Sequence, residues 1–192
     1  SVDSFDDEAR TVRLSFSSEE PYLRASFWDE PWVEVLGHDA DEVDMSRLLS
    51  GAAPVLFGHD KEHREAHVGV VDKAWIKDGR GYADIRLSRR ASVDGVWQDI
   101  KDGILKSVSV GYQINQRMLT KANEAGPSEY RVTHWMPMEV SLVPVPADAT
   151  VGVGRSADPP PRFTVTAAPE GPHSAGLLHS RNHEMTEQTA PA

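Results

Sequence analysis

Apolar and polar side chains alternate at Val12, Leu14 and Phe16, and Trp32-Val33-Glu34-Val35-Leu36 repeats the pattern, so both stretches read as strands with one buried face. Pro54-Val55-Leu56-Phe57 is a brief apolar run that stops at Gly58 and sets His59 at a strand end. Residues 68–76 and 82–87 flank Lys77-Asp78-Gly79-Arg80-Gly81, and Asp-Gly between two β-rich runs predicts a hairpin. The period then changes. Val93, Val96, Trp97 and Ile100 fall at i, i+3, i+4 and i+7, which predicts an amphipathic helix over 92–101 closed by Gly103. Asp44 ahead of Met45-Ser46-Arg47-Leu48-Leu49, with Gly51 behind, predicts a second, short N-capped helix. Alternation returns over 107–114 and 138–143. Six or more short strands, two helices and no βαβ alternation predict an α+β fold, mainly an antiparallel β-barrel or sandwich with a few short flanking helices.

Composition sharpens the boundaries. Residues 156–192 hold six of the 13 prolines, including Pro159-Pro160-Pro161, and few large apolar side chains. Such a stretch cannot bury enough surface to offset its ordering entropy, so it reads as a Pro-rich flexible linker or tail behind a globular domain at 1–155. A length of 192 residues suits that division. The net charge of −10 is uneven, with 13 acidic and 4 basic side chains in residues 1–50 but 13 and 14 in residues 51–155. No basic face is available for phosphates, which argues against a nucleic-acid partner. The absence of Cys excludes disulfides, thiol nucleophiles and Cys-ligated zinc. No apolar run approaches the ~20 residues of a membrane span, and the first ten residues carry four acids and no apolar signal segment. The expectation is a soluble, unexported protein. A start without Met leads us to expect a processed or excised piece of something longer.

Two constellations could carry chemistry. His59-Asp60-Lys61-Glu62-His63 spells H-x-x-E-H, in which two helical His bind zinc and the Glu acts as general base. The surroundings of the motif, an apolar strand and Gly58 before it and only charged residues after it, read instead as a solvated loop. The second constellation pairs His59 with Ser109 and Glu139, each on or beside a predicted strand and far apart in sequence. A serine needs a neutral imidazole to take its proton, and the imidazole needs a carboxylate to fix its tautomer and stabilise the imidazolium. By spacing alone the trio stays open against an ordinary alternative: a small strand residue, a salt-bridged edge Glu and a capping His.

Four stretches in order carry a resemblance: Arg10-Thr11-Val12 with Phe16-Ser17-Ser18-Glu19; Pro54-Val55-Leu56-Phe57-Gly58-His59-Asp60 with Gly69-Val70-Val71; Asp102-Gly103-Ile104-Leu105-Lys106-Ser107-Val108-Ser109-Val110-Gly111-Tyr112; and Trp135-Met136-Pro137-Met138-Glu139-Val140-Ser141-Leu142-Val143-Pro144-Val145-Pro146-Ala147. Over residues 5–155 the chain resembles the tailed-bacteriophage prohead (capsid maturation) serine proteases, whose fold is similar to herpesvirus assemblin. The resemblance implies a serine endopeptidase of the assembling phage prohead in the host cytoplasm, acting on major capsid or scaffold protein and on itself. It implies catalytic residues His59, Ser109 and Glu139 and no cofactor. Ser107 is the nearest rival nucleophile, and His134 rivals Glu139 because assemblin-type enzymes use a second His. Glu139 is preferred as an acid embedded in an apolar strand, where burial without a partner is costly. A catalytically inactive assembly or scaffolding module of the same fold is the alternative, with the zinc peptidase behind it. The end of the tail, His183-Glu184-Met185-Thr186-Glu187-Gln188-Thr189, is a candidate junction to a fused downstream segment.

Overall fold

The computed structural model describes residues 5–25 and 29–154, so the expected linker at 156–192 lies outside the described residues. Among the described residues ten strands, β1 (Phe5–Asp6), β2 (Thr11–Ser18), β3 (Tyr22–Arg24), β4 (Trp32–Leu36), β5 (Pro54–Phe57), β6 (His67–Lys77), β7 (Arg80–Leu87), β8 (Val108–Lys121), β9 (Glu129–Leu142) and β10 (Gly152–Val153), form one sheet, with a single α-helix, α1 (Ala91–Lys101). Asp78 and Gly79 both take positive φ, 51° and 69°, between β6 and β7. That is the mirror-image turn whose twist matches a hairpin, and it is why Asp-Gly marks one.

Helix α1 buries the predicted face through Val93, Trp97 and Ile100. Its end is a Schellman motif: Gly103 at φ 70° donates to Ile100 C=O, and Ile104 N–H donates to Asp99 C=O. Trp97 satisfies its indole N–H on Asp7 at 2.7 Å. Burying each of these side chains contributes ~1.5–3 kcal/mol, and Ile100→Ala would cost ~2–5 kcal/mol. The second predicted helix is a correction. Only a 3₁₀ turn forms, over Leu48–Ser50: Asp44 does accept Ser46 N–H at 3.0 Å, as a cap would, but Gly51 at φ 75° ends the segment before a full helix can build.

The sheet runs in the order β1-β2-β7-β6-β5-β9-β4-β3, with β10 on β2 and β8 on β9. Among the described residues strand pairing does not close the expected barrel: the path is open, and between β10 and the residues before β8 one backbone hydrogen bond, Val153 N–H to Lys106 C=O at 2.9 Å, spans the seam. Nor is the sheet wholly antiparallel, since β4 and β5 both pair parallel to β9. The β5–β9 pairing carries the consequence for function. It aligns Phe57 with Leu142, so that the chain leaving β5 arrives over the C-terminal half of β9.

Candidate active site

Three neighbouring strands supply the side chains. In the β8–β9 ladder Ser109 lies opposite Ser141 and Gly111 opposite Glu139. Alternation puts all four on one face. Beyond β5 the chain makes a tight turn in which Gly58 (φ 67°) and His59 (φ 61°) are both left-handed. A left-handed conformation costs a residue with a Cβ ~1–2 kcal/mol. Two hydrogen bonds to β9 hold it there, Gly58 N–H to Leu142 C=O at 2.9 Å and His59 N–H to Ser141 Oγ at 3.2 Å.

The turn lays the imidazole against a buried carboxylate. His59 Nδ1 sits 2.7 Å from Glu139 Oε1, and Glu139 is only 2% exposed while the His59 side chain is 40% exposed. The other oxygen, Oε2, accepts the Ser141 hydroxyl at 2.7 Å. Gly111 makes room for the carboxylate: a Cβ there would stand 2.2 Å from Glu139 Oε1. With Nδ1–H donated to Glu139, the second ring nitrogen, Nε2, keeps its lone pair for a proton. His59 and Ser109 line one cavity of about 210 Å³ together with the Arg24–Glu34–Tyr112 group. No hydrogen bond joins the Ser109 hydroxyl to His59, so the structure brings the two to one cavity without linking them.

The rivals lie elsewhere. Ser107 precedes β8 and uses its carbonyl to accept Val143 N–H, outside the cavity. His134 pairs with Gln116 in the ladder, five residues or ~17 Å of strand from Glu139. The H-x-x-E-H helix does not form. Residues 58–63 are a loop in which Asp60 accepts the N–H groups of Glu62 and His63 at 3.0 Å each and holds His63 Nδ1 at 2.8 Å, while His59 turns to Glu139. Among the described residues no three His, Asp or Glu side chains converge on a point that a metal ion could occupy.

Residues that sequence reasoning missed complete the site. Ser141, fully buried on β9, also ties Glu139 to the His59 backbone; its i, i+2 spacing from Glu139 was the available signal. Arg24 donates Nε and Nη2 to the two oxygens of buried Glu34 at 3.1 and 3.0 Å, and the Tyr112 hydroxyl joins both. Burial, then the Glu34 carboxylate, pushes the Tyr112 phenol up, so it stays protonated. Burial opposes the charge of Arg24, but the Glu34 hydrogen bond and charge outweigh it and hold its guanidinium above the ordinary value.

An imidazole held by a buried carboxylate, in one cavity with a strand serine, has the parts a serine peptidase requires. Residues 39–158 match the family model of the caudovirus prohead serine protease, and the chain belongs to this family. A major capsid protein of Halomonas phage phiHAP-1 is 40% identical over 148 residues, which cover 76% of this chain and 23% of that protein. The chain thus spans less than a quarter of the length of the curated relative it matches. No solved structure matches it. Among the described residues no helix is long and apolar enough to cross a membrane.

Proposed function

We propose that the chain is a serine endopeptidase that processes capsid or scaffold protein, and its own flanking sequence, inside the assembling phage head in the host cytoplasm. The observation that carries this reading is the 2.7 Å bond from His59 to buried Glu139 in the cavity that Ser109 also lines. Ser109 Oγ attacks the scissile carbonyl carbon while His59 Nε2 takes its proton. Glu139 stabilises the imidazolium, which then protonates the leaving amine as the C–N bond breaks. Water, deprotonated by the same nitrogen, releases the acyl group from Ser109. An assemblin-like barrel belongs to the same reading, supported by the Val153–Lys106 hydrogen bond across its seam. So does a fused downstream segment, supported by a relative that is far longer than this chain and carries a capsid protein's name.

A serine-reactive phosphonate tests the reading. Labelling at Ser109, absent in Ser109→Ala, with new termini appearing in the intact mass of wild type over time, is the expected result. That relative's name and the unlinked Ser109 hydroxyl favour a second reading, an inactive assembly module; a folded chain that neither labels nor cleaves would establish it.

A further inference from the structure

Where β8 passes the cavity its backbone is only half used. Val143 N–H donates to Ser107 C=O at 3.1 Å, which makes Ser107 and Val143 a hydrogen-bonded pair and, by the alternation of an antiparallel ladder, Ser109 and Ser141 the next. Val108 and Val110 therefore turn their N–H and C=O groups away from β9. The same parity holds on β9, where Leu142 directs its carbonyl outward to Gly58 N–H at 2.9 Å. Lys106, on the outward row of the β8 segment, is capped by Val153 N–H. Beyond that point no strand among the described residues pairs with this edge. Val108, Ser109 and Val110 all line the cavity that His59 shares.

Sheltered backbone donors and acceptors demand partners. An edge strand offers them at the repeat of another strand, which is how extended peptides are bound through their main chain. We propose that the free edge of β8 at Val108–Val110 is the peptide-binding track: an extended substrate segment joins β8 as an added strand, exchanges hydrogen bonds with Val110, and thereby sets one of its carbonyls beside Ser109. The inference rests on the peptidase reading and assigns how its substrate is held. Recognition through the main chain selects extended, unpaired segments of a substrate and rejects strands already paired.

The test uses the full chain carrying Ser109→Ala, which binds without cutting, and the acetylated, amidated peptide Arg-Phe-Thr-Val-Thr-Ala-Ala, the sequence of residues 162–168, chosen for its run of β-branched residues and lack of proline. Amide exchange at Val110 is expected to slow on binding. N-methylation of alternate peptide nitrogens is expected to weaken binding about tenfold each, while methylation of the intervening nitrogens leaves it near the parent value. No binding at millimolar peptide, an unprotected Val110, or losses without the period of two would overturn the track. Cleavage of the same peptide by wild type separates the two readings. Cleavage without the alternation removes the track alone; alternation with a wild type that neither cuts nor labels removes the peptidase reading alone.

Discussion

His59 and His38 are each anchored through Nδ1, and each belongs to a group containing a serine and an acid; Ser17, the partner of His38, even lines the cavity of His59 and Ser109, yet the two imidazoles are held differently. His38 gives Nδ1–H to the Leu36 carbonyl at 2.9 Å and accepts the Ser17 hydroxyl on Nε2 at 2.8 Å, so both ring nitrogens are spent on the protein. It is 5% exposed, and burial pushes its pKa down, the opposing charges of Glu19 and Glu42 notwithstanding. Its acids serve Arg131 instead, which binds Glu42 with both arms at 2.7 Å and Glu19 at 2.8 Å. His59 has a carboxylate where His38 has a carbonyl, and a cavity where His38 has Ser17. A serine hydrogen-bonded to a histidine is thus not by itself the mark of a reactive centre. On the proposed peptidase reading, what separates the two is a carboxylate positioned to receive an imidazolium, and a cavity beside the second ring nitrogen.

The largest expected effects test that contrast directly. Ser109→Ala and His59→Ala should each lower peptidase activity by ~10³–10⁶-fold, with the double variant no worse than either, because groups acting as a unit are non-additive. Ser17→Ala should instead lower the melting temperature, by leaving His38 Nε2 buried without a donor at a cost of ~1–3 kcal/mol, while cleavage persists. Loss of cleavage in Ser17→Ala at intact fold, with retention in Ser109→Ala, would exchange the roles of the two regions.

Glu139→Gln keeps the shape but removes the charge, and a loss of up to ~10⁴-fold is expected where the amide selects the wrong tautomer. His134→Ala should leave cleavage unaffected; a larger loss there than in Glu139→Gln would move the third member. Ser141→Ala deprives Glu139 Oε2 of its donor, a hydrogen bond to a charged group whose loss is worth ~10–100-fold in turnover, and Ser141→Thr should restore most of it.

The smallest effect is on stability against pH. Arg131, and then the Asp39 N–H, hold Glu42 below its ordinary value despite burial, so its contribution is full above the ordinary carboxylate range and is lost as pH falls through the lowered value. The depressed value of His38 also makes acid unfavourable. The unfolded chain takes the proton first, near pH ~6.5, and stability falls until the folded imidazole also titrates. Chemical denaturation from pH 8 down to about 2 should show both declines, the upper removed by His38→Gln and the lower by Glu42→Gln. An unchanged profile in both variants would break the assignment of His38 and Glu42 to a charge-braced scaffold.

Much of the fold was legible because its signals are local. The alternation in β2 and β4, the Asp-Gly turn and the helical stripe of α1 each depend on a few neighbouring residues. The outer halves of β8 and β9 were not legible. Gln113 through Lys121 is largely exposed and lacks a buried face to impose alternation, so the strand ends at Lys121 rather than at the predicted Ile114. The proline at 137 further masks β9, and it is tolerated because a register shift lies beside it.

The site divides in the same way. By itself the sequence determined which residue types were available: a histidine at the end of an apolar strand, a serine before Val110-Gly111, and an acid embedded among apolar neighbours that burial alone would not tolerate. The tertiary structure decided which of them meet. The parallel pairing of β5 with β9 brings His59 to Glu139 across 80 residues of sequence, the absence of a Cβ at Gly111 admits the carboxylate, and the opposite edge of β8 has no partner strand among the described residues. None of these has a local signal, because register and edge are properties of a neighbour strand's backbone, and a strand carries the same pattern of side chains whichever partner it finds.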